Sequence, residues 1–343
     1  MLFQLLAMCL GLMASAALAV ERQGAPVEVP TAEALSEPGA LAAYVTESLT
    51  TTGRCVLPVG VIKTDTPVVL KRLHGGVIEG AGPAYAPAES RNGWRSHPET
   101  IQASTLIVAT DPTQPAIVLE AAINTELRNF SVETTGVGVA YKQVPGWGNA
   151  NAYLHRVAFH GCGIAFKAGE KSTDHNAADV TFNGCQFYRC GTGLEVNHLQ
   201  GVNYLFDGMC FFGHVDRAVV FNEGGFSHLE NCTGFDVGTW LTLSGGGSNL
   251  MPCRITHLYS DRKKEDTPPV IVDASRATNQ TRVLVDGVKV TQHGLHDRLY
   301  YSGHVYYRLP RDHKKQKSMI RVRDNDLNNY PWGGVYEPQV VDN

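Results

Sequence analysis

Glu195 is an acidic residue set among strand-like segments whose other outward positions are small or apolar, with cations gathered around it along the chain. The segments read Gly-apolar-x-apolar, as in Gly163-Ile164-Ala165-Phe166 and Gly193-Leu194-Glu195-Val196. With alternate side chains turned outward, their central positions run Val118, Ala140, Ala165, Glu195, Val220 and Thr242. Lys142 and Lys167 close two of these strands and Asn197 and Asn222 the next two, while His214, Asp216 and Arg217 precede the strand after Glu195. A carboxylate among amines and a guanidinium suits two chemistries. A cation can neutralise a substrate carboxylate while a Lys, Arg or His base removes the proton on the neighbouring carbon. Alternatively, two carboxylates can flank a glycosidic bond at a separation that sets inversion or retention. On this reading the expected catalytic residues are Glu195, Asp216, Arg217 and Lys167. The competing reading is that Glu195–Lys167 and Asp216–Arg217 are surface ion pairs, worth at most about 1 kcal/mol each.

Two long loops leave neighbouring strands on the same side. Residues 143–151 carry Pro145-Gly146-Trp147-Gly148, and residues 168–177 carry Lys171, Asp174 and His175. An exposed indole offers a flat apolar face with a donor at its edge, so Trp147 can act as a stacking platform. The alternative is that it folds back over its own coil. Lys142, Trp147, His175 and His214 are the expected substrate-contacting residues, whereas Trp240, on a strand, reads as packing. No Cys-x-x-Cys pair and no tight Asp/Glu cluster is readable, so no metal site is assigned and a need for calcium stays open.

The elements that must position these residues come from a repeat. A second pattern, Val157-Ala158-Phe159-His160-Gly161-Cys162 and Val180-Thr181-Phe182-Asn183-Gly184-Cys185, alternates with the first. The period is roughly 22 to 30 residues, the range of solenoids. Asn183-Gly184, Asp207-Gly208 and His160-Gly161 suit left-handed backbone at sharp corners, so Asn183, Asp207 and Asn231 read as corner residues. A helical segment opens at Thr31-Ala32-Glu33-Ala34, but Pro38 falls inside it, so the helix is expected to begin near Pro38; Leu41, Tyr44, Val45 and Leu49 recur at helical spacing, and the helix is expected to cover the open end of the stack. An insertion, 83–102, carries Tyr85, Trp94 and Arg95 and is too long for a simple turn. The coils are expected over 31–299, with 300–343 as a C-terminal cap.

The first residues read as a secretory signal, 1–19, ending in Ala17-Leu18-Ala19, although no Lys or Arg precedes the apolar stretch. A linker, 20–30, follows. This implies a secreted or periplasmic protein with no membrane span after cleavage. Seven cysteines then remain: Cys55, Cys162, Cys185, Cys190, Cys210, Cys232 and Cys253. An odd number argues against a complete disulfide framework, and their coil spacing suggests small buried side chains in a stack. A net charge of −4 over 343 residues provides no electrostatic footprint for nucleic acid.

On these residues the chain resembles the pectin-lyase-like superfamily. The segments Cys55-Val56-Leu57-Pro58-Val59-Gly60-Val61-Ile62, Pro67-Val68-Val69-Leu70 and Gly76-Val77-Ile78-Glu79-Gly80-Ala81-Gly82 resemble the opening coils of its pectate-lyase-type subgroup. The resemblance implies an all-β, single-stranded right-handed parallel β-helix of three sheets, with the Gly-apolar strands as the first sheet. It further implies a secreted lyase or glycoside hydrolase whose partner is an acidic, uronate-containing polysaccharide. The family's catalytic motifs are missing: there is no Asp-Asp pair, no Arg-Ile-Lys and no Trp-Ile-Asp-His, and Arg308-Leu309-Pro310-Arg311 has the wrong spacing for Arg-x-Pro-x-x-Arg. A non-catalytic glycan-binding or cell-surface structural solenoid is therefore the alternative expectation. Oligomeric state is left open.

Overall fold

The structure, a computed structural model, describes residues 27–84, 103–142, 144, 146–170, 176–244, 253–262, 270–277, 282–292, 307–309, 319–323 and 341–342. Its strands pair in parallel with the strands one coil before and after, which makes a single-stranded parallel β-helix. Connections of this kind take the right-handed crossover. The expected fold class is the observed one.

Three ladders run along the stack. The first contains Val68–Lys71, Ile117–Glu120, Val137–Lys142, Ile164–Ala168, Thr192–Asn197, Arg217–Glu223, Thr239–Leu243 and Val270–Asp273. The second includes Arg54–Val56, His74–Glu79, Val180–Asn183, Tyr204–Asp207, Ser227–Glu230, Cys253–Thr256 and Arg282–Asp286. The third includes Gly60–Thr64, Thr105–Ala109, Gln186–Tyr188, Phe211–Gly213, Thr233–Phe235 and Tyr259–Arg262. Two long runs, Ile123–Glu133 and Ala150–His160, pair within both the second and third ladders. Each turns the corner on one left-handed residue, Asn129 (φ 58°) or Arg156 (φ 51°). Strands Tyr307–Leu309, Met319–Arg323 and Val341–Asp342 continue the first and second ladders, so the coils run on past residue 299.

Bent strands explain why two sequence patterns concealed three ladders. Phe159 pairs with Phe187 in the third ladder, whereas Phe182 pairs with Phe206 in the second. The two similar motifs at 157–162 and 180–185 therefore stand at different corners. Gly184 (φ 59°) and Gly208 (φ 67°) fill a left-handed corner that Asn231 (φ 52°) fills one coil later. Asp207 accepts a hydrogen bond from the Gly208 amide at 2.6 Å, and Asn183 bonds His155 at 3.0 Å.

Aromatic rings stack at the coil repeat inside the solenoid. Phe182 lies over Phe206 (4.5 Å between ring centres) and Phe187 over Phe212 (4.6 Å). Such rings contribute about 3–5 kcal/mol each against truncation to Ala. Cys55, Cys162, Cys185, Cys190, Cys210, Cys232 and Cys253 are buried free thiols. Five of them form two columns, Cys162–Cys190 and Cys185–Cys210–Cys232, at different corners, so Cys162 does not share the column of Cys185. Burial, reinforced by the Cys210 neighbour, pushes the Cys185 thiol up, and burial pushes Cys55 to about 12. These thiols are packing, not nucleophiles.

Helix α1 (Ala40–Thr52) covers the first coil with Leu41, Tyr44, Val45 and Leu49 buried, and the Tyr44 hydroxyl donates to the Val56 carbonyl at 2.8 Å. The helix begins close to Pro38, where its start is expected, and leaves the 31–38 stretch outside it. That stretch forms a 3-10 turn, Ala34–Ser36, and Gly39 in left-handed backbone (φ 73°) separates the two. The expected signal segment 1–19, most of the expected linker 20–30, the insertion beyond Ala84 and most of 300–343 lie outside the described residues.

Candidate functional site

The register of the first ladder sets the site. Its outward row runs Val69, Val118, Ala140, Lys167, Glu195, Val220, Thr242, Asp273. Lys167, not Ala165, stands beside Glu195; Ala165 is fully buried. The slip arises at the corner. Gly163 aligns with Gly191, because Ile164 pairs with Thr192, so the Gly193 that reads like Gly163 sits two residues further on. Glycine is needed at this corner because a Cβ on Gly163 would lie 2.7 Å from the Thr135 carbonyl oxygen, and one on Gly191 would lie 2.8 Å from that of Gly163.

Lys167 and Glu195 are half-buried on adjacent coils, about 4.8 Å apart along the stack. Val220, on the far side of Glu195, is 1 % exposed, so the row is sheltered. No ion pair joins the two. Instead the Asn197 amide donates to the Glu195 carboxylate at 2.8 Å, and Asn222 donates to the Asn197 oxygen at 2.7 Å. An amide chain thus orients the carboxylate, and Lys167 has no hydrogen bond or ion pair among the described residues. The 196/197 junction also carries a register shift, which sets Asn197 opposite Glu223. Glu223 is a carboxylate that sequence reading passed over, and the bulge that places it has no sequence signature.

The other expected residues separate into groups. Lys142 is exposed at the end of the strand before Lys167, two residues beyond Ala140 on the same face. Arg217 is exposed at the opposite end of its strand and donates to the Thr192 hydroxyl at 3.0 Å, not to Asp216. It lies three residues from the row of Glu195, roughly 10 Å along the strand. Asp216 is exposed at the same corner. His214 occupies the left-handed corner (φ 53°), with its Nδ1 3.2 Å from the Asp236 carboxylate and its ring edge-on to Tyr188 and Phe235. Trp147 is 43 % exposed, so it does not fold over its own coil. Trp240 is buried and donates to Ser260 at 3.0 Å. His175 lies outside the described residues. Among the described residues no group of three or more His, Cys, Asp or Glu could hold a metal ion, and no helix is long and apolar enough to cross a membrane.

The arrangement offers an oriented carboxylate and an unpaired amine in one sheltered row. Asp273, the next carboxylate in that row, is three coils away, about 14 Å. That exceeds the roughly 5–9.5 Å that two glycosidase carboxyl groups span, so the row alone does not supply such a pair.

The fold and its sheltered row define a parallel β-helix protein with a candidate site on the first ladder. The chain matches no family model and no curated protein. Among solved structures it is similar to the catalytic domain of a GH87 alpha-1,3-glucanase, at 12 % identity and TM-score 0.47, over 89 % of this chain and 60 % of that one. It is also similar to ORF18 of Geobacillus virus E2 (12 %, TM-score 0.41, 82 % and 62 %). A third is the A-module of the Azotobacter vinelandii mannuronan C-5 epimerase AlgE4 (12 %, TM-score 0.36, 90 % and 94 %). The chain spans somewhat over half the length of the first two.

Proposed function

We propose that the protein is an exported polysaccharide-active enzyme of the pectate-lyase-type resemblance, acting on an acidic glycan at the outer face of the first ladder. The observation that carries this reading is the Lys167–Glu195 juxtaposition. The two groups sit one coil apart without neutralising each other, and Glu195 is held by the Asn197–Asn222 amide chain. In this reading Lys167 and Lys142 bind substrate carboxylates, while Glu195 exchanges the proton in the bond-breaking step. Elimination or proton exchange next to a uronate carboxyl uses the Lys167–Glu195 pair alone, whereas two-carboxylate hydrolysis would recruit Glu223, which stands opposite Asn197 on the next coil. Arg217 and Asp216 line the other edge of the strip and contact the substrate flank. His214 and His175 are proposed as more distant contacts.

The test is a panel of uronate polysaccharides incubated with the purified protein and assayed for unsaturated ends, new reducing ends and epimerised residues. Product that disappears in Glu195→Gln supports the reading. No product across the panel, or full activity in Glu195→Gln, overturns it. The second reading, a glycan-binding solenoid without turnover, is favoured by the small apolar residues Val118, Ala140 and Val220 in the same row. Binding without product on that panel supports it.

A further inference from the structure

Away from the Lys167–Glu195 row, three exposed side chains meet at the corner between the first and second ladders. Trp147 lies with the Arg72 guanidinium 6.0 Å from its ring centre and the His74 imidazole 6.0 Å away in an edge-on arrangement at 81°. Arg72 and His74 come from the first coils and Trp147 from more than 70 positions later, so only the winding of the chain brings them together. Neither the Arg72 guanidinium nor the His74 imidazole has a side-chain hydrogen bond or ion pair among the described residues. Their donors are therefore open to a ligand.

The indole is held in place before any ligand arrives. Asn149, fully buried, accepts from the Ala122 amide at 2.7 Å and donates to the Lys142 carbonyl at 2.8 Å, which clamps both ends of the loop to the coil. Val144 and Trp147 bridge each other through backbone bonds of 3.4 and 3.0 Å across a turn with Gly146 at φ 81°. The Arg72 amide is fixed on the Glu120 carbonyl at 2.8 Å. An exposed, preorganised aromatic face is costly to maintain for packing and is what stacking on an apolar ring face uses. The surrounding charge is positive: Lys71 and Lys142 are exposed nearby in the fold, and Glu120 is already paired with Lys71 at 3.1 Å.

We propose that Trp147, Arg72 and His74 form a subsite for one anionic pyranose ring of a chain-like glycan. The ring stacks on the free face of the indole, Arg72 binds its carboxylate or sulfate, and His74 positions the indole from the edge. This rests on the glycan reading above and deepens it. The loop leaves the strand that ends at Lys142, two coils or about 10 Å along the axis from Glu195, and Arg72 follows a strand four coils or about 19 Å away. A ligand lying along the stack therefore reaches both places.

The experiment is calorimetric titration of full-length Glu195→Gln protein with a hexauronate, a sulfated hexasaccharide and a neutral hexaglucan. Trp147→Ala and Arg72→Gln are made in the same background, with thermal midpoints confirming folding. Expected is binding of at least one anionic oligomer, weakened tenfold or more by each variant, with Arg72→Gln leaving the neutral oligomer unaffected. The anionic oligomer that binds more tightly identifies the charge as carboxylate or sulfate. Affinity in both variants unchanged from that of the Glu195→Gln parent, or no binding by any oligomer, overturns the proposal. Product formation by wild type alongside unchanged variant affinities removes the subsite and leaves the enzyme reading standing. Weakened variant binding without any product removes the enzyme reading and leaves the subsite.

Discussion

The outer faces of the first and second ladders differ in how much charge they carry and in what that charge does. The second ladder is crowded: Arg54 and Arg128 both engage Glu79, and Arg128 also engages Glu126 at 3.1 Å. His155 bonds Asn183, and the His228 Nε2 lies 2.9 Å from the Thr256 hydroxyl, with its Nδ1 3.9 Å from Glu230. The first ladder has an ion pair near its start, Lys71–Glu120, but in its middle Lys167 is unpaired and Glu195 is held only by an amide. Charges that satisfy one another stabilise a surface weakly, whereas an oriented group without a counterion keeps its capacity for a substrate. The difference shows that density of ionisable residues is a poor guide to a site on this solenoid, and that pairing is the better one.

The sharpest way to break this contrast is to compare substitutions across the two faces. Glu195→Gln is expected to lower turnover about 100- to 10,000-fold while leaving the thermal midpoint nearly unchanged. His228→Asn and Glu230→Gln are expected to leave turnover intact. Steady-state assays and thermal melts on the three variants decide it, and loss of activity in the second-ladder variants would reverse the assignment of faces.

The third ladder extends the comparison to an outward face that is covered. His160 is 2 % exposed there, and burial, partly opposed by a hydrogen bond to the Ala84 backbone, lowers its folded pKa from 6.5 to about 3. The unfolded chain therefore binds a proton that the native state does not. This contribution to stability is full above pH 6.5 and declines as pH falls toward about 3, by up to about 1.4 kcal/mol per pH unit. Denaturant unfolding between pH 7 and 4 is expected to show that slope, and His160→Gln to remove it.

A smaller effect is expected from Lys167→Met, which should lower turnover about tenfold, or 1.4 kcal/mol in the barrier, with the larger share in KM if the amine binds substrate. The smallest comes from the paired face. Burial raises the Glu79 pKa, but the hydrogen bonds and charges of Arg128 and Arg54 outweigh it and hold the carboxyl below its ordinary value of 4.5. Its contribution is present above that value and lost as pH falls through the lower folded one. Glu79→Gln is expected to cost about 1 kcal/mol at neutral pH, measured by denaturant unfolding, and to flatten that part of the acid limb. No effect on turnover is expected.

Much of the architecture was legible because local chemistry repeats. Corner glycines and asparagines, apolar alternation and the apolar stripe of the helix each leave a local mark, and Leu41, Tyr44, Val45 and Leu49 pack as their spacing implies. Glu195 was legible for the same reason, as a charge interrupting an apolar row. Its neighbour was not. Aligning Gly193 with Gly163 is natural in the sequence, but Gly191 is the residue that packs on the preceding carbonyl, and a two-residue slip substitutes Ala165 for Lys167. The expected Asp216–Arg217 pair also failed to form, because Thr192 stands one coil away at the register of Arg217.

The sequence by itself determined that this chain winds into a solenoid and which residue types can form its corners and its apolar rows, since these depend on backbone conformation and burial over a few neighbouring residues. Only the tertiary structure decided which side chains share a place. The register between coils is set by corner packing and bulges that local sequence does not encode. That register puts Lys167 beside Glu195, sets Glu223 opposite Asn197, and brings Arg72 and His74 to Trp147.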